Sequence, residues 1–576
     1  MGFFFPEKKQ VSSKKELAIK EASKQGCRAC PLSKERNRTP NMPPTGTDKP
    51  ILYFLGEAPG EDEDIVGRQF VGRAGRRLRR ELDEVFDPEI LDTIRWNNTV
   101  RCRPVSGNSN RTPTNFEIDC CEQSVIDDIE KTKPCVVVGF GSVPLKTFIG
   151  GSTLGIWVNR FIPTKFGNHA CWYYVMYHPS FLERTSKQGE DTEYDIYFRI
   201  CLENLKHFIL KKYTPPKIET DYFKGVKPLT ESEAIELMRS WTDRKYIALD
   251  LETDQLKPLR EGAKILSVGL SDGDLHVAFQ NSDKVVRELY KLIMSGPEFI
   301  AHNLKFEIEW LYTAFKTQDF FRKVRWHDTM AQAYILDERT TKNHNEGMLK
   351  LEMLTFLNFG FKLKSLTNID RGNISKTSVK DLLIYNALDA KYTYKLFLEQ
   401  GRKLDKDLKI CYNNLCESST CLAMTELKGL LIDKNKLNEL KNKYTVELQD
   451  IMDEIKNRGE IRKFEKDLGV TFNPLSTDHL IIVFKDILKA PLVKLTASKK
   501  YSMDDEVMSK LAPKYKLAEL IPRCRELNKL ISTYLDNIGY NLIGDNVSIK
   551  LLYPNFNLML TKTGRLSSGT DVGVEE

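Results

Sequence analysis

The stretch YIALDLET at Tyr246–Thr253 places two acids two residues apart at the end of a mostly apolar run. Side chains alternate across a β-strand, so Asp250 and Glu252 are expected on one face. Carboxylates held that close repel each other unless a cation lies between them. Such a pair is poor for stability and good for a divalent metal. Two later segments add donors. AHNLKFEIEWLY, helical from about Leu304, carries Glu307, and DLLIYNALDAKYTYKLF, within a helix expected over Ser378–Phe397, carries Tyr385 and Asp389 one turn apart. Between them WHDTMAQAYILDE carries Asp328. Asp250, Glu252, Glu307 and Asp389, with the Tyr385 hydroxyl beside the last, are the inventory that two-metal phosphoryl hydrolysis needs. In that chemistry the ions sit about 3.5–4 Å apart, one making hydroxide and the other steadying the leaving oxygen. Oxygen donors suit two Mg2+ or Mn2+ ions.

A different chemistry is written earlier. Cys27 and Cys30 in CRACPLSKERNRT lie at chelating spacing, and most of the twelve cysteines fall in the first third or so of the chain. In a cytosolic protein such a pair argues for metal or redox chemistry before a disulfide. Ile51–Gly56 reads as a buried strand opening into GEAPGEDEDIVGRQFVGRAGRRL, whose glycines allow close approach of backbone to a ligand. Glycine spacing alone suggests only a phosphate loop.

These groups need elements to hold them. Leu78 and Leu82 share a face of a helix starting near Ala74, and strands are expected at Asn97–Arg101, Cys135–Gly139 and Tyr173–Tyr177. Strands alternating with helices imply an α/β sandwich with a parallel sheet, its ligands gathered at the strand C-terminal ends. The expected order is a basic arm at 1–26, a first domain at 27–212, a linker at 213–228 marked by Pro215 and Pro216, a second domain at 229–402, and a charged helical region at 403–576. In the second domain a helix at Glu231–Trp241 precedes the acid-bearing strand, and strands follow at Ile265–Leu270, His276–Gln280 and Phe299–Ala301. In the last region Leu437, Leu440 and Leu448 mark a long amphipathic helix. The 576 residues are 41% hydrophobic with a net charge of +7, which permits nucleic-acid binding. The sequence shows no apolar run of membrane-spanning length and no signal peptide at Met1–Lys20, so the expected location is cytoplasmic (the host cytoplasm for a viral protein), with no membrane partner.

Taken in order, GEAPGEDED, GRQFVGRAG, NNTVRCRP, a further cysteine after NRTP, VVVGFGSVPLKTFIG and YHPSFLER resemble the iron–sulfur uracil-DNA glycosylases of the family 4 type. The resemblance implies a Rossmann-like sandwich and a [4Fe–4S] cluster on Cys27, Cys30, Cys102 and Cys121. Counting back to Pro113 and Glu117 favours Cys121, with the adjacent Cys120 as the alternative. It also implies roles. Phe70 stacks on a flipped base, and Asn98, donor and acceptor at once, reads the uracil edge. His178 stabilises charge on the departing base. Glu57 favours the cationic sugar or holds water. Ser180 to Arg184 touch the DNA backbone.

The middle motifs look like the DEDD-type 3′–5′ exonuclease domain of family A DNA polymerases, in the variant with tyrosine in its third motif. The resemblance implies a ribonuclease H-like fold and gives Tyr385 the task of orienting the attacking water. Glu307 departs from the family, which usually has Asp there. Further on, TELKGLLIDKNKL, FNPLSTDHL, RCRELNKLISTYLDNI and NFNLMLTKTGRLSS resemble the segment that links exonuclease to thumb and enters the palm. Arg565 lies where such polymerases contact template–primer, and Lys529 is a second basic candidate. A basic helical thumb grips phosphates without reading sequence. No later stretch carries palm carboxylates, so polymerisation is not expected from this chain alone, and a separately encoded palm and fingers fragment is an expected partner. The whole reads as a phage-like replication and repair enzyme for single-stranded 3′ ends, primer–template and uracil-containing DNA. The alternative is a non-catalytic DNA-binding or assembly subunit that docks on a separate polymerase half.

Overall fold

The computed structural model describes residues 23–34, 37–107, 109–185, 191–211, 214–260, 262–337, 347–367, 369, 377–496, 500–540, 542–543, 549–561 and 563–569. Most of the expected basic arm, residues 1–22, lies outside the described residues. The described chain forms two compact units. One runs to Cys421 and includes Leu558–Leu566, and the other holds Leu422–Asn557 and the residues from Ser567.

The first unit contains two six-stranded sheets. In the first, the order is Thr45–Gly46, Ile94–Asn98, Leu52–Gly56, Val136–Phe140, His169–Met176, Phe161–Phe166. The four central strands are parallel and the outer two antiparallel. Helices at Arg73–Val85, Asn115–Thr132 and Glu193–Leu210 accompany it. Strands buried on both faces read as continuous apolar runs, and Leu52–Leu55 are all fully buried. Leu78 and Leu82 are likewise buried on the Arg73–Val85 helix. The strand expected at Asn97–Arg101 lies three residues earlier, at Ile94–Asn98. Beyond it the backbone stays tied to the end of the Leu52–Gly56 strand and the residue after it by Thr99 N–H to Gly56 O and Val100 N–H to Glu57 O while it turns toward the cysteines.

The second sheet runs Trp326–Asp328, Glu298–Ala301, Tyr246–Thr253, Ile265–Ser271, His276–Gln280, Val226–Pro228. The three strands between Tyr246 and Gln280 form an antiparallel meander, and the other three join in parallel. The last three residues of the expected linker are thus an edge strand. The Val379–Gly401 helix packs across the meander and needs Gly269 to do so. A Cβ there would fall 1.9 Å from Asn386 Oδ1 and 2.7 Å from its backbone oxygen. Asn386 follows Tyr385 and lies three residues before Asp389, so displacing it displaces both. Gly269→Ala is expected to lower stability by about 1–3 kcal/mol and to weaken any activity of those two residues. Thermal unfolding beside a 3′-end assay checks this, and an unchanged melting temperature would contradict the packing.

In the second unit the helices Lys434–Lys456, Gly459–Leu468, Asp505–Leu511 and Lys516–Lys529 surround a core that includes Phe464, Phe484, Met508 and Ile521. Leu437 is buried on the first of them. The region is mainly helical, with a three-stranded sheet built on Leu430–Asp433 and a strand pair, Asn555–Asn557 with Ser567–Gly569. Among the described residues no helix is long and apolar enough to cross a membrane.

Candidate active sites

Strand alternation places Asp250 and Glu252 on the partly open face, with Leu249 and Leu251 buried on the other. The ladder to the next strand becomes irregular between Glu252 and Thr253, where the strand ends. The Val379–Gly401 helix brings Asp389 to the same place. One carboxylate oxygen from each of Asp250, Glu252 and Asp389 lies within 4.8 Å of the others. Tyr385 is buried one turn before Asp389.

Glu307 sits in the first turn of the Leu304–Phe315 helix, only 2% exposed, and its Oε2 has no hydrogen-bond partner. Burial, then the neighbouring Asp250, with smaller contributions from Asp328 and Glu252, pushes its carboxyl well above the usual range. Three acids therefore converge from a strand and a helix, and the charge of one of them, Asp250, acts on Glu307 from a second helix. Hard oxygen donors in mutual repulsion fit divalent cations. The neighbouring Glu309 is also buried, but Lys257 Nζ holds both its oxygens at 2.9 and 3.1 Å.

Asp328 has a role that its sequence position did not suggest. It is fully buried and accepts N–H from Asn303 (3.0 Å), Leu304 (3.1 Å) and Met330 (2.8 Å). Burial raises its carboxyl to about 6 against those hydrogen bonds. Asn303, at φ +68°, starts the helix that carries Glu307, so Asp328 fixes where that helix begins. The readable signal was an acid directly before a helix, a cap residue.

In the first domain Phe70 and Asn98 meet over Gly56. A Cβ on Gly56 would lie 2.4 Å from Asn98 Oδ1 and 2.9 Å from Phe70 Cζ, so glycine leaves room for both. The Phe70 ring is inclined by 29° to that of His178, with centroids 6.5 Å apart. Phe70 has φ +54°, uncommon for a bulky residue. Arg79 supports it, donating from Nε to Phe70 O (3.1 Å) and from Nη2 to Gln69 O (3.3 Å) with its guanidinium 4.2 Å from the Trp96 ring centre. Neither Arg79 nor Trp96 was singled out in the sequence, where Arg79 is one of several arginines in GRRLRR.

His178 Nδ1 accepts the Ser180 N–H at 3.1 Å, and Ser180 Oγ lies 2.8 Å away. A neutral ring bonded this way carries its proton on Nε2. Burial, and then the Arg184 charge, lowers the imidazole to about 4, so it is neutral at physiological pH. Exposed Arg184 also reaches Ser180 Oγ at 3.4 Å. Half-buried Glu57 is raised by burial, against a hydrogen bond with Thr112 and the charge of Arg184. Phe70, Asn98, Glu57, His178, Ser180 and Arg184 thus form one neighbourhood.

Cys30, Cys102, Cys120 and Cys121 share a buried cluster with Leu32, Val100 and Ile118, and Cys27 is exposed beside them. Asn41 N–H donates to Cys102 Sγ at 3.1 Å. Burial above all pushes the Cys120 and Cys121 thiols up to about 12. Cys121 also feels Cys30, Cys102 and Cys27, whereas Cys120 feels Cys30 and Cys27. Convergent soft donors fit a four-thiolate cluster, and both Cys120 and Cys121 lie among them, Cys120 also hydrogen-bonded to Cys30. Arg565 is exposed in the Leu558–Leu566 segment, where its backbone oxygen accepts from Thr561 Oγ1 at 2.9 Å.

Two site-bearing α/β parts, one with a cysteine cluster and one with converging carboxylates, followed by a mainly helical third, define a multidomain chain. Residues 43–206 match the uracil DNA glycosylase superfamily, 226–409 the 3′-5′ exonuclease family, and 426–571 DNA polymerase family A. The chain is 36% identical over 194 residues to a type-4 uracil-DNA glycosylase of Thermotoga maritima, covering 32% of this chain and 91% of that protein. It is 28% identical over 351 residues to a DNA polymerase of Escherichia phage T5, covering 57% of this chain and 40% of that protein. With DNA polymerase I of Borreliella burgdorferi the identity is 27% over 365 residues, 61% of this chain and 37% of that protein. The chain thus belongs, through its first third, to the type-4 uracil-DNA glycosylase family, and that domain is fused to the exonuclease and polymerase domains of family A. It spans 40% and 37% of the length of the two polymerases.

Proposed function

We propose that this chain is a bifunctional DNA-processing hydrolase, a metal-dependent 3′–5′ exonuclease joined to a uracil-DNA glycosylase. The observation that carries the reading is the convergence of Asp250, Glu252 and Asp389 within 4.8 Å, with buried Glu307 close enough to feel the charges of Asp250 and Glu252. Two Mg2+ or Mn2+ ions on these four acids would supply a nucleophile at neutral pH and charge neutralisation at the scissile phosphate. Tyr385 orients the attacking water. In the first domain Phe70 stacks on a flipped uracil, Asn98 reads its edge, and neutral His178 donates from Nε2 to the departing base. Glu57 lies where positive charge develops on the sugar, and Ser180 and Arg184 hold the backbone. Cys27, Cys30, Cys102 and Cys121 hold a [4Fe–4S] cluster. In the polymerase-related part Lys529 and Arg565 contact primer–template phosphates.

The test uses the whole chain. Single-stranded DNA should shorten from its 3′ end only when Mg2+ or Mn2+ is present, and a uracil-containing oligonucleotide should become alkali-labile. Anaerobically purified protein should be brown, with about four irons per chain. DNA left at full length with either metal removes the exonuclease. Uracil strands left intact at stoichiometric protein remove the glycosylase alone.

A further inference from the structure

The family matches place the glycosylase and the exonuclease in separate stretches, 43–206 and 226–409, yet the apolar core runs through both. The Leu351–Phe359 helix, LEMLTFLNF, belongs to the exonuclease stretch and is apolar nearly all round, the pattern of a helix buried on every side. Leu351 and Leu354 pack with Leu388, Tyr392 and Leu396 of the exonuclease. Met353 and Phe356, with Met348 before the helix, are buried in the glycosylase core beside Phe148, Ile162 and Phe166, and Leu357 packs against it. Spacings of three and four put the two sets on different faces of one helix.

Polar contacts fasten the same join. Arg160 pairs with Asp337 at 2.8 Å, largely shielded from water. Trp172 Nε1–H donates to Thr214 O (3.0 Å), and Glu219 N–H to Phe359 O (3.3 Å). Lys391, 2% exposed on the helix that carries Tyr385 and Asp389, donates to the carbonyls of Asp221 (3.3 Å), Tyr222 (2.8 Å) and Lys224 (2.9 Å). Lys395 pairs with Glu219. The connector between the two domains is therefore anchored to both.

Domains joined by small polar interfaces move independently, and a dry apolar interface removes that freedom. We propose that the glycosylase and exonuclease form one cooperative body, locked by the Leu351–Phe359 helix, so that a divalent ion bound at the exonuclease acids also stabilises the glycosylase. Any ligand of the native state stabilises the whole unit that unfolds with it. Such a body keeps the base-removing and strand-shortening sites at constant separation. The metal arm rests on the reading given above, while the coupling itself does not.

Hydrogen exchange on the full chain, read by mass spectrometry, tests it with Mn2+ as the only added ligand. The slowest amides of Leu52–Gly56 and Phe161–Met176 report the glycosylase, and those of Ile265–Ser271 the exonuclease. In the wild type Mn2+ should slow all three by a similar factor. Met353→Ala with Phe356→Ala should speed exchange in the glycosylase strands about tenfold or more and confine Mn2+ protection to Ile265–Ser271. Arg160→Met, a milder change should the double variant not fold, should shift the same strands in the same direction. Wild-type protection confined to the exonuclease, or variants that leave the glycosylase strands unchanged, would overturn the proposal. If Mn2+ protects neither part, the metal reading fails, and the variants without metal still decide the coupling.

Discussion

Asp250→Asn is expected to raise the stability of the metal-free chain while abolishing 3′-end shortening. The two signs come from one cause. Asp250 lies within 4.8 Å of Glu252 and Asp389 and is the largest charge acting on buried Glu307. Without a cation these groups repel, and asparagine keeps the shape while removing a charge. With a cation the missing carboxylate removes a ligand. Metal ions contribute several kcal/mol of transition-state charge stabilisation, so the loss should reach about three powers of ten or more. Glu307 adds a pH dependence. Its folded-state carboxyl titrates above the unfolded value, so the stability that its protonated form contributes is present below about 4.3 and is lost as pH rises through the folded value. The metal-free wild type should therefore gain stability on mild acidification. The gain should shrink in Asp250→Asn, where the main neighbouring charge on Glu307 is gone. Melting curves at several pH values, with and without Mg2+, and a gel of shortened products read both effects. A variant that retains more than a tenth of wild-type shortening would sink the metal-ligand assignment.

What the chain disclosed depended on whether the information was local. Asp250 and Glu252 were legible because a two-residue period fixes a shared face, and Tyr385 and Asp389 because a helical turn does the same. That the two pairs meet follows from the Val379–Gly401 helix crossing the meander over Gly269, a packing contact that no local pattern encodes. The Ile94–Asn98 strand falls three residues before the expected Asn97–Arg101 because polar Asn97 and Asn98, both buried, read as the start of a strand when they are its end. The Phe161–Phe166 strand escaped notice, with Pro163 in a position that demotes a strand to an edge, and an edge strand is what it forms. The helix at Lys406–Lys428 reads as the start of the last region. Its earlier part nonetheless belongs to the first unit, where the Tyr412 hydroxyl accepts the Asp328 N–H at 3.1 Å and lies 3.1 Å from His327 Nδ1. Arg565 likewise sits in a segment of that unit, in which Tyr334 O–H donates to Thr561 O. Long-range contacts of this kind assign segments to bodies, and the sequence contains only their raw materials.

His178→Leu should reduce uracil excision by about 10²–10³-fold, the usual cost of losing one donor aimed at developing negative charge. The argument turns on the proton. The Ser180 N–H occupies Nδ1, so a neutral ring has its hydrogen on Nε2, available to a leaving base. Burial and Arg184 keep the ring neutral down to about 4. The neutral form is the active one, so acid should inactivate only as pH falls through that value. Excision should then be flat from about pH 5 to pH 8, a range in which an unshifted histidine would titrate. Ser180→Ala keeps the backbone N–H and removes only the hydroxyl, and with it the Arg184 contact, so its loss should be smaller, roughly tenfold or less. Exonuclease activity and iron content should not change in either variant, which separates a pocket effect from unfolding. A rate that falls with a midpoint near 6.5 would mean that the protonated ring does not support excision and that its titration is not suppressed. The neutral donor would then have to be abandoned.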